Sequence, residues 1–291
     1  MTETITIGVA GSGTMGTGIA IVAARSGHPT IVYDVDQGRA EAAVGQMKAF
    51  FAKSVQRGKL TQAQVDEIMG RVVATGDIAA MAPCGLVVEA IFEELEVKGR
   101  LFAALDRVCG PDTLFASNTS TLSITEIAAR SGRDDRFVGM HFCLPAQLMK
   151  LVEMSPGLAT SPESFERAWK ICDAMGQRPV KTQDAPGFIL NCFLVPFNND
   201  AIRLVEEGVA EPAEIDAAIK GALGYAMGPM ELLDLVGLDT QVLLCEALHG
   251  VTGEPRASCP PLLRRMVAAR RLGRKTKRGF LSYETTAIFG A

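Results

Sequence analysis

The chain has 291 residues, enough for one large folded unit or two modest ones. Its 48% hydrophobic and 21% charged content is that of a folded globule, and a formal net charge of −4 gives no overall pull toward nucleic acid. No apolar run reaches the roughly 18 residues of a membrane span, and M1-T-E-T-I-T-I-G lacks the basic and apolar regions of a leader, so a cytoplasmic protein with no membrane partner is expected. Seven cysteines, at 84, 109, 143, 172, 192, 245 and 259, form no CxxC pair, and the three histidines are not spaced with other ligands. Neither a disulfide framework nor a metal site is expected.

In chain order, Thr4–Ala10 reads as a β-branched strand and Thr14–Ser26 as a helix broken by Gly27. Pro29–Asp34 is a second strand. Gly38–Gly58 and Thr61–Gly70 read as helices, the latter opened by the capping-box pattern T61-Q-A-Q64. Leu86–Ile91, Thr113–Ser117, Phe137–Phe142 and Leu148–Met154 are strand candidates, separated by the helix candidates Glu94–Cys109 and Ser123–Arg130. S123-I-T-E126 is again a capping-box pattern. Ser161-Pro162 starts a helix that runs to Gly176, and Arg178–Thr182 closes the series as a short strand. Such alternation predicts an α/β fold, a mostly parallel sheet with helices on both faces. Beyond D184-A-P-G187 the strand signals fade. Phe188–Glu207, Pro212–Lys220, Met230–His249 and Pro261–Leu272 read as helices apolar enough to need partners, including a second copy of the chain.

G11-S-G-T-M-G16 lies between the first strand and the first helix. Gly11 permits a tight turn, Gly13 lets the backbone approach a pyrophosphate, and Gly16 lets helix and strand pack closely. Thr14 and Met15 open the helix, whose free N–H groups and positive dipole end suit phosphates. Asp34 ends the second strand, 18 residues past Gly16, where a carboxylate bonds ribose hydroxyls and repels a 2′-phosphate. NAD is therefore the expected cofactor. The fold class is a Rossmann-type doubly wound sheet over 1–186, the NAD-binding domain, followed by an all-α domain over 187–291.

A nicotinamide cofactor needs a partner base for the alcohol proton. His141 closes the strand R136-F-V-G-M-H-F142 and Glu153 lies on the next, L148-M-K-L-V-E-M154. Neighbouring strands joined by a short loop bring the two together, and a carboxylate beside an imidazole holds its tautomer and stabilises the imidazolium. Taken alone, a histidine near a strand end also reads as a satisfied structural residue.

The motifs G11-S-G-T-M-G16, L86-V-V-E-A-I91, S117-N-T-S120, G139-M-H-F142, M149-K-L-V-E153, P186-G-F188 with Asn191, M227-G-P-M-E-L232, G237-L-D-T240 and L272-G-R-K-T276 occur in one order. As a set they resemble the L-3-hydroxyacyl-CoA dehydrogenases, including the bacterial 3-hydroxybutyryl-CoA enzymes, across essentially the whole chain. The resemblance implies an NAD-dependent interconversion of (3S)-hydroxyacyl-CoA and 3-oxoacyl-CoA by a stand-alone homodimer. It implies His141 as general base, Glu153 as its electrostatic partner, Ser120 as a substrate contact that orders the site, and Asn191 as a residue positioning substrate. Glu93, Lys98, Asn118 and Lys275 match cofactor contacts. It places coenzyme A phosphates near Lys48, Lys53, Arg57 and Lys59, with Arg57 and Lys59 as contacts. Each has a plainer reading: Ser120 as a turn cap, Asn191 as a helix N-terminal polar residue, Glu93 and Lys98 as solvated helix charges.

H141-F-C-L-P145 departs from the family's H-F-F-N-P, with Leu144 where an asparagine contacts the nicotinamide end. Cys192 and Ala226 stand where arginine and proline are usual. Two alternatives therefore stand: a related dehydrogenase of a non-CoA 3-hydroxy acid such as carnitine or a sugar acid, and a non-catalytic NAD-binding paralogue. His28 reads as a loop residue and His249 as the end of a helix before Gly250. The run from Arg264 to Arg278, eight basic residues in fifteen, reads as a solvated helix end rather than a nucleic-acid surface because no aromatic residues interleave it.

Overall fold

The structure, a computed structural model, describes residues 4–283. It divides into two compact units after Ala185. In the first unit, eight strands form one sheet: β1 (Thr6–Ala10), β2 (Thr30–Tyr33), β3 (Val72–Thr75), β4 (Cys84–Glu89), β5 (Leu114–Ser117), β6 (Phe137–Phe142), β7 (Leu151–Pro156) and β8 (Arg178–Lys181). Their order is β3-β2-β1-β4-β5-β6-β7-β8, parallel throughout except for the antiparallel β6–β7 pair. The direction of travel reverses between β1 and β4, which opens a crevice beyond the carboxyl ends of those strands, where doubly wound sheets bind ligands.

Six helices connect the strands: α1 (Thr14–Arg25), α2 (Gln37–Gln56), α3 (Gln62–Met69), α4 (Leu95–Asp106), α5 (Ile124–Ala128) and α6 (Pro162–Ala174). Successive strand residues face opposite sides of the sheet. Thus Leu114 and Ala116 of β5 join Ile19 of α1, Met47 of α2 and Ala168 of α6 in one core. Between them, Phe115 turns to the other face, where Phe102 of α4 lies 5.3 Å from it and 4.7 Å from Phe137, centroid to centroid. The expected helices on both faces are present.

Local signals act as their chemistry predicts. Thr61 accepts from the Gln64 N–H while the Gln64 side chain accepts from the Thr61 N–H, a full capping box for α3. Ser161 caps α6 with Pro162 in its first turn. At α5, Asp184 takes the Ile124 and Thr125 amides, both at 2.8 Å, and the Ser123 hydroxyl at 2.9 Å.

The second unit is helical: α7 (Leu190–Glu206), α8 (Pro212–Leu223), α9 (Pro229–Val236), α10 (Leu238–Thr252) and α11 (Pro261–Ala268). Its core gathers Val195, Ile202, Met230, Leu233, Leu238, Leu248 and Leu263. The continuous helix expected over Met230–His249 is instead two, broken at Gly237, whose φ of +107° no L side chain adopts easily. The second of these runs past His249 and Gly250 and ends at Gly253 in the left-handed conformation. The last helix stops at Ala268, short of Leu272, and Arg270 takes a φ of +57°. Buried Asp234 explains why the chain turns back there. Its carboxylate accepts from the Phe280 and Leu281 amides at 3.0 and 2.9 Å and from the Tyr283 hydroxyl at 3.0 Å. Gly279 lets that carboxylate approach, since a Cβ there would lie 1.8 Å from Asp234 Oδ1.

Candidate active site

Antiparallel pairing of β6 and β7 sets His141 directly opposite Glu153 on one face of the sheet. The His141 Nδ1–Glu153 Oε2 distance is 2.8 Å, with the residues only 6% and 2% exposed. A carboxylate only accepts, so Nδ1 carries the proton and Nε2 presents its lone pair. Ser120 Oγ lies 3.0 Å from that Nε2, the distance at which its hydroxyl donates to the ring. Ser120 arrives from the turn after β5, and β5 is the parallel neighbour of β6. Asn118, in the same turn, accepts the Phe142 amide at 2.9 Å through Oδ1 and so ties the turn to the strand that carries His141.

The turn itself is built on Glu93. Its Oε1 accepts from Thr119 Oγ1 at 2.5 Å, the Ser120 amide at 2.9 Å, and the Thr121 amide and hydroxyl, both at 3.1 Å. Its Oε2 lies 3.2 Å from Lys98 Nζ. Lys98 is 1% exposed and donates at 2.5 Å to Glu89 Oε1, whose partner oxygen accepts from Ser117 Oγ at 2.6 Å. Lys98 is therefore no solvated helix charge but the buried cation of a bridge between the ends of β4 and β5, whereas Glu93, with its side chain 37% exposed, precedes α4 and anchors the turn from its rim. Glu89 went unremarked in the sequence, although an acid inside the apolar run L86-V-V-E-A-I91 was its signal.

Burial opposes ionisation of Glu93, but the Lys98 ammonium, the Thr119 hydroxyl and the Ser120 amide outweigh it and hold the carboxyl below its usual range. A depressed folded-state pKa stabilises above the unfolded value and is lost as pH falls through the folded one. Acidification below about pH 4 is therefore expected to release the Ser120 and Thr121 amides to hydrogen exchange before the sheet opens. In Glu93→Gln, protection of those two amides should be weaker and indifferent to pH over that range.

The dinucleotide loop has the form the motif demands. Gly11 has a φ of +109°, and a Cβ at Gly16 would lie 1.8 Å from the Gly11 carbonyl oxygen. Gly13 differs: its φ and ψ of −68° and −173° suit any residue, and a Cβ there would meet nothing within 4 Å. The fold does not need a glycine at 13, whereas a pyrophosphate lying against the backbone does. Asp34, at the end of β2, accepts from Ser12 Oγ at 2.5 Å. Burial again opposes ionisation, but the Ser12 hydroxyl, the Asp36 and Ser12 amides and Arg39 hold Asp34 below the usual carboxylate range. An ionised carboxylate at the ribose end and an open glycine at the phosphate end fit NAD. Gly13→Ala should melt within about 2 °C of wild type yet bind NADH at least tenfold more weakly by nicotinamide fluorescence; unchanged binding would remove Gly13 from the phosphate site.

Arg57 and Lys59 are exposed just past the end of α2. Leu144 is half-buried beyond β6. In the second unit, Asn191 is the second residue of α7, its amide bonded to the Gly187 carbonyl at 3.0 Å. Lys275 is paired with Asp239 at 2.5 and 2.6 Å. Of the basic run, Arg264 pairs with Glu246 and Arg265 with Glu206. His28 is buried, with its ring 3.0 Å from the Ile5 carbonyl. Among the described residues no group of three or more His, Cys, Asp or Glu side chains is arranged to hold a metal, and no helix is long and apolar enough to cross a membrane.

Residues 6–185 match the family model for the NAD-binding domain of 3-hydroxyacyl-CoA dehydrogenase, and residues 187–283 match the model for its C-terminal domain. The chain belongs to the 3-hydroxyacyl-CoA dehydrogenase family. It is thus an NAD-dependent oxidoreductase of that class, as its ordered motifs imply. It is 42% identical over 276 residues to a probable 3-hydroxybutyryl-CoA dehydrogenase of Bacillus subtilis, covering 95% of this chain and 96% of that protein. It is 41% identical over 286 residues to human mitochondrial hydroxyacyl-coenzyme A dehydrogenase, covering 95% and 90%. Among solved structures it resembles FadB2 of M. tuberculosis, with a TM-score of 0.94 at 37% identity over 97% of this chain and 100% of that one. It also resembles (S)-3-hydroxybutyryl-CoA dehydrogenase PaaH1 of Ralstonia eutropha, with a TM-score of 0.91 at 34% identity over the same shares.

Proposed function

We propose that this protein interconverts (3S)-3-hydroxyacyl-CoA thioesters and their 3-oxo forms, with His141 as the general base and acid. The single observation behind the residue roles is the line Ser120–His141–Glu153, in which the carboxylate bonds Nδ1 and leaves Nε2 facing the Ser120 hydroxyl. Nε2 takes the 3-hydroxyl proton during oxidation, and Glu153 stabilises the imidazolium that forms. Ser120 orients the hydroxyl on Nε2. NAD, when bound, supplies the acceptor for the hydride that leaves C3. The reverse reaction returns the proton from the imidazolium to the carbonyl oxygen.

In this reading residues 1–186 bind NAD and residues 187–291 complete the substrate site and pair two copies of the chain. Gly11, Gly13, Thr14, Met15 and Gly16 line the phosphates, and Asp34 takes the ribose. Asn118, Glu93 and Lys98 shape the nicotinamide end, the latter two by holding the Ser117–Thr121 turn. Asn191 positions the acyl group, Lys275 reaches toward NAD, and Arg57 with Lys59 takes phosphates of coenzyme A. A homodimer accords with exposed Phe193, Leu223, Tyr225 and Leu243 on the helical unit. The expected compartment is the cytoplasm.

Glu153→Gln tests the assignment without changing side-chain shape. An amide facing Nδ1 tolerates the tautomer with the proton on Nε2, where it blocks the base. Turnover should fall about 10²- to 10⁴-fold with NADH affinity within twofold of wild type. Turnover within threefold of wild type would remove Glu153 from the mechanism.

A further inference from the structure

The ribose end of the dinucleotide loop holds a cation that the proposed function leaves unused. Arg39, the third residue of α2, has a side chain 53% exposed and its Nε 3.9 Å from Asp34 Oδ2. An arginine in that place is the group that accommodates a 2′-phosphate, through a planar fork matched to phosphate oxygens. Here it stands beside the carboxylate that repels the same phosphate. Cofactor choice therefore depends on where the Asp34 carboxylate is held.

Ser12 holds it. The Ser12 hydroxyl donates to Asp34 Oδ2 at 2.5 Å and the Ser12 amide donates to the same oxygen at 3.1 Å, while the Asp36 amide donates to Oδ1 at 3.2 Å. Ser12 is 8% exposed, so water competes little for its hydroxyl, and its carbonyl accepts from Thr17 Oγ1 at 3.2 Å. Of these donors only the Ser12 hydroxyl belongs to a side chain. Position 12 is the variable residue between the first two glycines of the loop, so the contact is a property of this chain and not of the glycine motif.

Resting on the NAD reading above, we propose that Ser12 is a positioning residue for cofactor choice. Its hydroxyl pins the Asp34 carboxylate between the ribose site and Arg39, so that the carboxylate masks Arg39 and excludes a 2′-phosphate that Arg39 would otherwise bind. Without the hydroxyl, Asp34 keeps its charge but not its place, and Arg39 is free to meet the phosphate.

The test measures dissociation constants of NADH and NADPH by nicotinamide fluorescence on the full-length protein. Wild type should prefer NADH. Ser12→Ala should bind NADH about tenfold more weakly, the worth of one hydrogen bond to a charged group, with the preference over NADPH falling by at least that factor. Ser12→Thr, which keeps the hydroxyl, should retain the wild-type preference. Adding Arg39→Ala to Ser12→Ala should weaken NADPH several-fold and leave NADH within twofold. Arg39→Ala alone, an exposed change safe for folding, should leave the preference for NADH over NADPH little changed, because the carboxylate already masks Arg39. An unchanged preference in Ser12→Ala, equal losses in Ser12→Ala and Ser12→Thr, or no differential effect of removing Arg39 in the Ser12→Ala background would overturn the proposal. A wild-type protein that bound neither nucleotide would overturn the NAD reading and this inference together.

Discussion

His141→Ala is expected to lower turnover of acetoacetyl-CoA by about 10²- to 10⁴-fold, the usual contribution of a positioned acid or base. The imidazole has the geometry for proton transfer: its Nε2 faces the Ser120 hydroxyl and its Nδ1 is held by Glu153. Serine alone has no basicity at neutral pH. Glu153 is sealed behind the ring at 2% exposure, so it does not replace the missing base. NADH affinity should stay within threefold of wild type, because the ring nitrogens are engaged by Ser120 and Glu153. Stopped-flow turnover beside fluorescence binding separates the two effects. A variant with wild-type turnover would take the chemistry away from His141, and one that lost NADH binding equally would make the residue structural.

Lys98→Met should cost about 3–5 kcal/mol of folding stability, the penalty for stripping one partner from a buried ion pair. Lys98 and Glu89 are 1% and 0% exposed, so solvent does not screen the loss. Methionine fills the space but leaves the Glu89 carboxylate with only the Ser117 hydroxyl and the Ile91 amide, and with Glu93 nearby and no cation between them. Burial already pushes the Glu89 carboxyl up, with Lys98 pulling against it. A folded-state pKa raised above the unfolded value favours the folded state at low pH and loses that advantage as pH rises through the folded value. The deficit should therefore be smallest in acid and grow toward neutral pH in urea melts. Adding Glu89→Gln should recover part of the loss at neutral pH, since the uncompensated charge goes with it. A single variant as stable as wild type at neutral pH would mean that the pair contributes nothing to the fold.

The central pair of the site was legible because it is local. His141 and Glu153 occupy adjacent strands joined by a short loop, and two alternating patterns suffice to face them toward each other. Asp34 and the glycine loop were legible for the same reason, being the two ends of one β-α-β unit. Ser120 needed more: its reach to His141 depends on β5 lying beside β6, which sequence order suggests but does not impose. What sequence reasoning missed is charge inside the core. Lys98 sits on a stretch, E93-E-L-E-V-K98, whose composition is that of a solvated helix start, and only its tertiary pairing with Glu89 shows it to be a core charge. The strand Val72–Thr75 was overlooked because four half-exposed residues at a sheet edge carry no apolar alternation. The break at Gly237 was overlooked because L235-V-G-L238 keeps helical periodicity on both sides, and a positive φ leaves no trace in a hydrophobic pattern.

The measurement that bears most directly on the function is NADH oxidation by the purified full-length protein, followed by absorbance, with acetoacetyl-CoA as substrate and free acetoacetate as control. The account predicts steady turnover of the thioester, none of the free acid, and loss of the thioester activity in His141→Ala. Turnover of the free acid at a comparable rate, or NADH binding without turnover of the thioester, would contradict it.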